Sequence, residues 1–194
     1  MVKVWRDLWG LGEMPFYEVE LAPFTYGGDG TTGARIREAQ HKAVELIPGS
    51  GIASINDLAY PYEYDEIHPR RKKEVGERLP YLALNRTYGM DYLPCEGPRF
   101  KSYEVRGGEI EVAFYNGESG FSPWHDIVGF EIAGEDKVFH PAEIRRGTQL
   151  NTVIVKSDKV PAPVAVRYCF RDFQVGNFTG RRCLPVIPFR TDNW

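Results

Sequence analysis

The chain has 194 residues and carries 24 Lys and Arg against 27 Asp and Glu, a formal net charge of -3. A balance this even excludes capture of polyanions by bulk electrostatics, so no nucleic-acid partner is expected. Hydrophobic content of 42% with 26% charged residues is that of a globular chain and not of a disordered one. A chain this long buries roughly 70% of its unfolded surface, enough for one good core or two small ones.

No apolar run approaches the ~20 residues of a membrane span, and no membrane partner is expected. No basic-then-apolar signal peptide opens the chain. Instead Met1-Val2-Lys3-Val4-Trp5-Arg6 reads as part of an amphipathic element. Pro15 to Ala22 has the composition of a strand, followed by the turn-rich Tyr26-Gly27-Gly28-Asp29-Gly30. Thr31 or Thr32 can cap a helix from about Ala34 to Leu46, with Ile36, Ala39, Ala43 and Ile47 near helical spacing. Pro48-Gly49 ends it, and Gly51 to Asn56 reads as a short, mostly buried strand. After a loop of Tyr, Pro and acidic residues, a second helix is expected from about Arg70 towards Tyr88. Val75, Leu79 and Leu82 share its apolar face, Pro80 should kink or split it, and Gly89 can stop it.

The pattern changes near residues 89–99, after which only strands are expected. Lys101 to Val105 and Glu109 to Phe114 flank Arg106-Gly107-Gly108, a hairpin signal. Further strands are expected at Val128–Ile132, Leu150–Val155 and Ala165–Phe170, and short strands between Gly, Pro and Asn turns argue for a β-sandwich. The fold class is therefore α/β, as part of a parallel-sheet domain over residues 1–94, followed by an all-β sandwich-like domain over 95–194. Two parallel strands leave a large open sheet edge, so the chain is expected to be a C-terminal fragment or to need a partner.

The residue with most chemical content is His68. It lies in a loop between a strand and a helix, just before Pro69, where α/β hydrolytic enzymes bring a histidine to the carboxyl edge of the sheet. Asp65, three residues earlier, can turn back to accept from Nδ1 and leave Nε2 as a general base. A helix cap beside a surface histidine fits the same spacing. His41, His125 and His140 read as surface or packing residues, and no metal-ligand spacing, GxSxG, P-loop or GxGxxG in a nucleotide-binding context is present, so neither a metal nor another cofactor is expected. The basic run Arg70-Arg71-Lys72-Lys73 fits a solvated helix start, or attraction of an anionic substrate. Arg37 and Gln40 fit helix surface, or support for the histidine loop. Of the three cysteines, Cys169 and Cys183 could pair, while three unpaired, partly buried thiols is the simpler reading.

Several stretches, in order over nearly the whole chain, resemble the C-terminal half of the sialate O-acetylesterases, a branch of the SGNH hydrolases. They are Arg37-Glu38-Ala39-Gln40, Ile67-His68-Pro69, Lys73 to Leu79, Gly129 to Gly134, Val164 to Tyr168 and Pro188 to Trp194. The resemblance implies a three-layer α/β esterase domain followed by a β-rich one, and removal of O-acetyl groups from sialic acid or a related sugar. It implies His68 as catalytic base with Asp65 as its orienter; Glu66, which stands where relatives often place the acid, and Asp57 are the other candidates. The Gly-Gln-Ser-Asn nucleophile motif of that family is missing from these residues, and Ser50 and Ser54 sit in a different context. The isolated chain is therefore expected to be inactive, its partners being an acetylated sugar and the missing N-terminal part of the esterase domain. Relatives are usually exported, which implies a periplasmic or extracellular setting for the intact protein. Another acetylated sugar such as xylan, or a non-catalytic sugar-binding role using Trp124, Trp194 and Tyr103, are the alternatives.

Overall fold

Helix α1 spans Val2–Trp9 in the computed structural model, which describes all of residues 1–194. It stops on Gly10, whose φ of 65° is the left-handed conformation that glycine adopts without a Cβ penalty. Strand β1 (Phe16–Val19), helix α2 (Thr32–Leu46), strand β2 (Ser50–Ala53) and helix α3 (Lys72–Arg86) follow, the strand–helix order expected of a parallel unit. β1 and β2 pair in parallel, with Phe16 opposite Ser50 and Val19 opposite Ala53. Helix α3 packs on both strands and α2 on β2. Pro80 lies within α3 and does not split it, because fully buried Leu82 and the ion-paired Arg78 on either side fix the helix to the strands.

Helix α2 departs from the expected apolar stripe. Gly33, Ala34 and Arg37 are its buried residues, while Ile36 is 46% exposed. The reason is a tertiary partner. Asp172, from the distal half of the chain, takes the Gly33 N–H on Oδ1 at 2.6 Å and places a carboxylate at the positive end of the helix. Gly33 is required there, since a Cβ would lie 2.5 Å from the Tyr26 ring.

Beyond α3 the chain forms β3 (Arg99–Arg106), β4 (Glu109–Tyr115), β5 (Phe121–Ser122), β6 (Phe130–Ala133), β7 (His140–Pro141) and β8 (Glu143–Arg146). Strands β9 (Thr152–Lys156), β10 (Ala165–Tyr168), β11 (Thr179–Gly180) and β12 (Phe189–Arg190) complete it. Two four-stranded antiparallel sheets result, in the orders β3-β4-β9-β8 and β12-β10-β6-β7, with β5 and β11 as a small third ribbon. Alternation along each strand sends one set of side chains inward. Ile110, Val112, Phe114, Val153 and Val155 from the first sheet meet Phe130, Ile132, Val166, Tyr168 and Phe189 from the second in one buried cluster. Each such burial contributes roughly 1.5–3 kcal/mol, which makes this the dominant core of the molecule.

The two halves are tied by hydrogen bonds that cross between them. Gly176 N–H donates to the Asn56 carbonyl at 3.0 Å, Phe24 N–H to the Asp172 carbonyl at 3.1 Å, and Arg190 bridges to Glu38. All three thiols are free, Cys169 buried and Cys183 exposed. Burial pushes the Cys169 thiol up to about 12, so it stays protonated and inert.

Candidate active site

The histidine loop is built on one carboxylate. Buried Glu63, in a single turn of 3-10 helix at Pro61–Glu63, accepts the Tyr60 N–H at 2.8 Å and the Arg70 N–H at 3.2 Å. It thereby pins the two ends of the segment 60–70 and leaves Tyr64, Asp65, Glu66, Ile67 and His68 projecting as an exposed arch. Buried Pro69 and the stacked Tyr60 and Tyr62 rings, 5.3 Å apart, form its base. The Tyr64 carbonyl accepts from both the N–H and the hydroxyl of Thr25, at 3.0 and 2.7 Å. The loops that leave β1 and β2 are thus joined at the carboxyl ends of the parallel strands, the edge where open α/β sheets hold their ligands.

Within this arch the side chain of His68 is exposed and makes no hydrogen bond, and neither does that of Asp65. Glu66 Oε1 accepts the His68 backbone N–H at 3.1 Å and so shapes the loop through the main chain. Asp57 is placed differently. Both its oxygens are held by Arg78, at 2.7 and 2.6 Å, and Arg78 also donates to the Ser54 carbonyl. That leaves Asp65 and Glu66 as the carboxylates carried by the His68 arch.

The two serines are committed to structure. Ser50 Oγ donates to the Val44 and Ile47 carbonyls at the end of α2, and Ser54 Oγ donates to Glu20 at 2.7 Å. Glu20 escaped the sequence reading, hidden in a strand-like run. It is buried at the end of β1 and accepts from Ser54, the Ile55 N–H at 2.8 Å and His41 Nε2 at 3.0 Å. Burial alone would push its carboxyl up; the His41 hydrogen bond and charge, with Arg37 nearby, outweigh that and hold it below its ordinary value. This Ser–Glu–His cluster has both other members donating to the carboxylate, so it locks β1, β2 and α2 together and activates no hydroxyl.

Arg37 and Gln40 do not support the histidine loop. Arg37 is buried and donates to the Arg171 carbonyl, and Gln40 bonds the backbone of β1 and the residues after it. In the basic run, Arg70 pairs with Glu63, Arg71 with Glu74 and Lys73 with Glu77. Trp124 is packed edge-on against Phe121 and Phe178, and Trp194 lies under Lys137. No three His, Cys, Asp or Glu side chains cluster at metal-ligand spacing.

No family profile matches the chain, and no curated protein does. Among solved structures, one superposes over the full length of the chain with a TM-score of 0.87 and 40% sequence identity. It is a carbohydrate acetylesterase from Xanthomonas citri. The chain resembles a carbohydrate acetylesterase. It spans 45% of the length of that protein, so the likeness covers a part of it: the parallel β/α segment and the antiparallel sheets that follow.

Proposed function

We propose that this chain is the histidine-bearing portion of a carbohydrate O-acetylesterase of the SGNH type, acting on sialic acid acetate esters. The observation that carries the reading is 40% identity over the whole chain to an acetylesterase of sugars, combined with a histidine arch at the carboxyl ends of parallel strands. In the assembled enzyme a serine from the remaining polypeptide attacks the acetyl carbonyl. His68 Nε2 takes its proton and returns it to the departing sugar oxygen, which leaves as the free hydroxyl. Asp65 turns to Nδ1 and holds the ring in the reactive tautomer. Water then attacks the acyl-enzyme with the same base, releasing acetate. The exposure of both side chains leaves them free to make those bonds once the nucleophile and the donors for the oxyanion are in place. Export to the periplasm or beyond would bring the enzyme to its acetylated glycans.

The test has two arms. The purified 194-residue chain on an activated acetate ester should give no turnover above a His68→Ala control. The esterase assembled with its nucleophile-bearing polypeptide should release acetate from acetylated sialic acids faster than from acetylated xylan. Faster release from xylan would retain the esterase and replace the sugar. Histidine-dependent turnover by the chain alone would place a nucleophile among these residues and overturn the division of labour.

A further inference from the structure

Glu74, Arg78, Tyr81 and Asn85 recur at helical spacing along α3 and form one wall of an open groove. Leu93, Pro94 and the turn that follows β11, Arg181 to Leu184, form the other. Two cavities of about 430 and 400 Å³ meet here, with Leu93, Pro94, Arg182 and Leu184 lining both. A third, of about 360 Å³, shares Ser119 and Arg181 with the second and extends the groove to Trp124. The α3 wall from Glu74 to Asn85 is roughly 16 Å long at the ~1.5 Å rise of a helical residue, longer than one sugar ring. The groove starts at Arg71, in the segment that follows His68 and Pro69, where Arg71 donates to the Asp57 carbonyl at 3.1 Å just beyond β2.

Both walls are held by bonds of their own. Asn85 Nδ2 donates to the Leu93 carbonyl at 2.8 Å and ties the segment after α3 to the helix. The turn is closed by Gly180 N–H to the Leu184 carbonyl at 3.0 Å and Cys183 N–H to the Gly180 carbonyl at 2.9 Å. The lining is polar: of the fifteen residues around the second cavity three are hydrophobic, which is the reverse of a site for an apolar ligand. Its charges are balanced as well. Arg71, Arg78 and Arg86 are paired with Glu74, Asp57 and Glu96. The side chains without a hydrogen bond or ion pair are two cations, Arg181 and Arg182, and two carboxylates, Asp91 and Glu118. A phosphate or polyanion would meet as many repelling groups as attracting ones. A sugar hydroxyl, which donates once and accepts twice, can use both kinds. Tyr81, exposed on the α3 wall, adds a ring whose face is apolar and whose tip is polar.

We infer that the groove between α3 and the turn 181–184 binds a run of uncharged sugar units, and that the substrate is an oligosaccharide chain and not a free acetylated monosaccharide. Placing the acetylated unit of that chain at His68 rests on the esterase reading; the groove itself does not. Tyr81 lies against the face of one ring near the head of the groove. Arg182, which lines both of the first two cavities, donates to hydroxyls of neighbouring units, and Asp91 and Glu118 accept from those further along. Because the walls are fixed by their own hydrogen bonds, little ordering is left for the protein to do on binding.

The test applies the 194-residue chain to an array of neutral, sialylated and uronic acid oligosaccharides, followed by titration calorimetry with the best neutral binder and with its constituent monosaccharide. The expected result is binding of a neutral chain of three or more units at least tenfold tighter than the monosaccharide. Arg182→Ala and Tyr81→Ala should each weaken it at least tenfold, and Leu46→Gln, at an exposed site on α2, should not. Arg182→Ala keeps the test decisive should Tyr81→Ala fail to fold, because its side chain is exposed on a turn. No bound oligosaccharide, equal affinity for the monosaccharide, or binding indifferent to Arg182→Ala would overturn the inference. Binding confined to uronic acid chains would overturn it too, since the groove would then be reading charge. The assembled esterase separates this inference from the reading it extends. Oligosaccharide binding without acetate release would uphold the groove and count against the esterase, while release from acetylated monosaccharide and oligosaccharide with equal kcat/KM would uphold the esterase and overturn the groove.

Discussion

Glu20 shows how a single carboxylate can govern the N-terminal half. It is wholly buried and takes three donors, two from the residues that follow β2 and one from α2. Because its folded-state titration is depressed below the ordinary 4.5, the stability it contributes is whole above that value and is lost as pH falls through the lower folded one. Glu20→Gln should cost about 3 kcal/mol at neutral pH, the scale of breaking a buried pair, and should flatten the acid limb of the stability profile. Denaturant midpoints measured from acid to neutral pH check this; an unchanged acid limb in the variant would assign the loss to other groups. At the arch, Glu66 is occupied by the His68 main chain and Asp65 is unoccupied. Asp65→Asn should therefore lower kcat of the assembled esterase by orders of magnitude, while Glu66→Gln, which keeps an acceptor oxygen, should lower it by less than tenfold. The reverse order would make Glu66 the orienter.

Among the elements, glycines divide into those that packing requires and those that it does not. A Cβ on Gly97 would stand 1.8 Å from the Pro185 carbonyl oxygen, inside the packed distal half. Gly97→Ala should destabilise by ~3 kcal/mol or more. Gly76 lies on the exposed side of α3, and a methyl group added there would have nothing within 4 Å, so Gly76→Ala should stabilise by about 0.5–1 kcal/mol. Thermal melts of the two variants should move in opposite directions. The elements that periodicity could reveal were the ones with a local cause: β1, α2, β2, α3 and the β3–β4 hairpin all fall within a few residues of where their patterns place them. Strand β8, Glu143–Arg146, was not legible, because its residues are mostly charged and only Ile144 packs on the core, so its strand-like alternation is hidden. The buried face of α2 was not legible either, because Asp172, 139 residues from Gly33, decides it.

At the scale of the whole molecule, the antiparallel sheets share one buried core, while the parallel sheet has only two strands. Local signals in the sequence place the His68 loop after β2, while the contacts that hold the loop in place are tertiary. His68 and Pro69 lie in the loop before α3, whose cap is Arg71 and not the proline that the sequence pattern places at the helix start. The Thr25–Tyr64 tie and the Glu20 cluster depend on contacts between segments distant in the chain.

Acetate release by the assembled esterase, with and without His68→Ala, tests the central claim most directly. Loss of the general base should lower kcat by about a thousandfold or more, with binding of the sugar little changed. Near-normal release from the alanine variant would contradict the account, since the exposed imidazole would then be an ornament of the loop and the proton would be passing through another group.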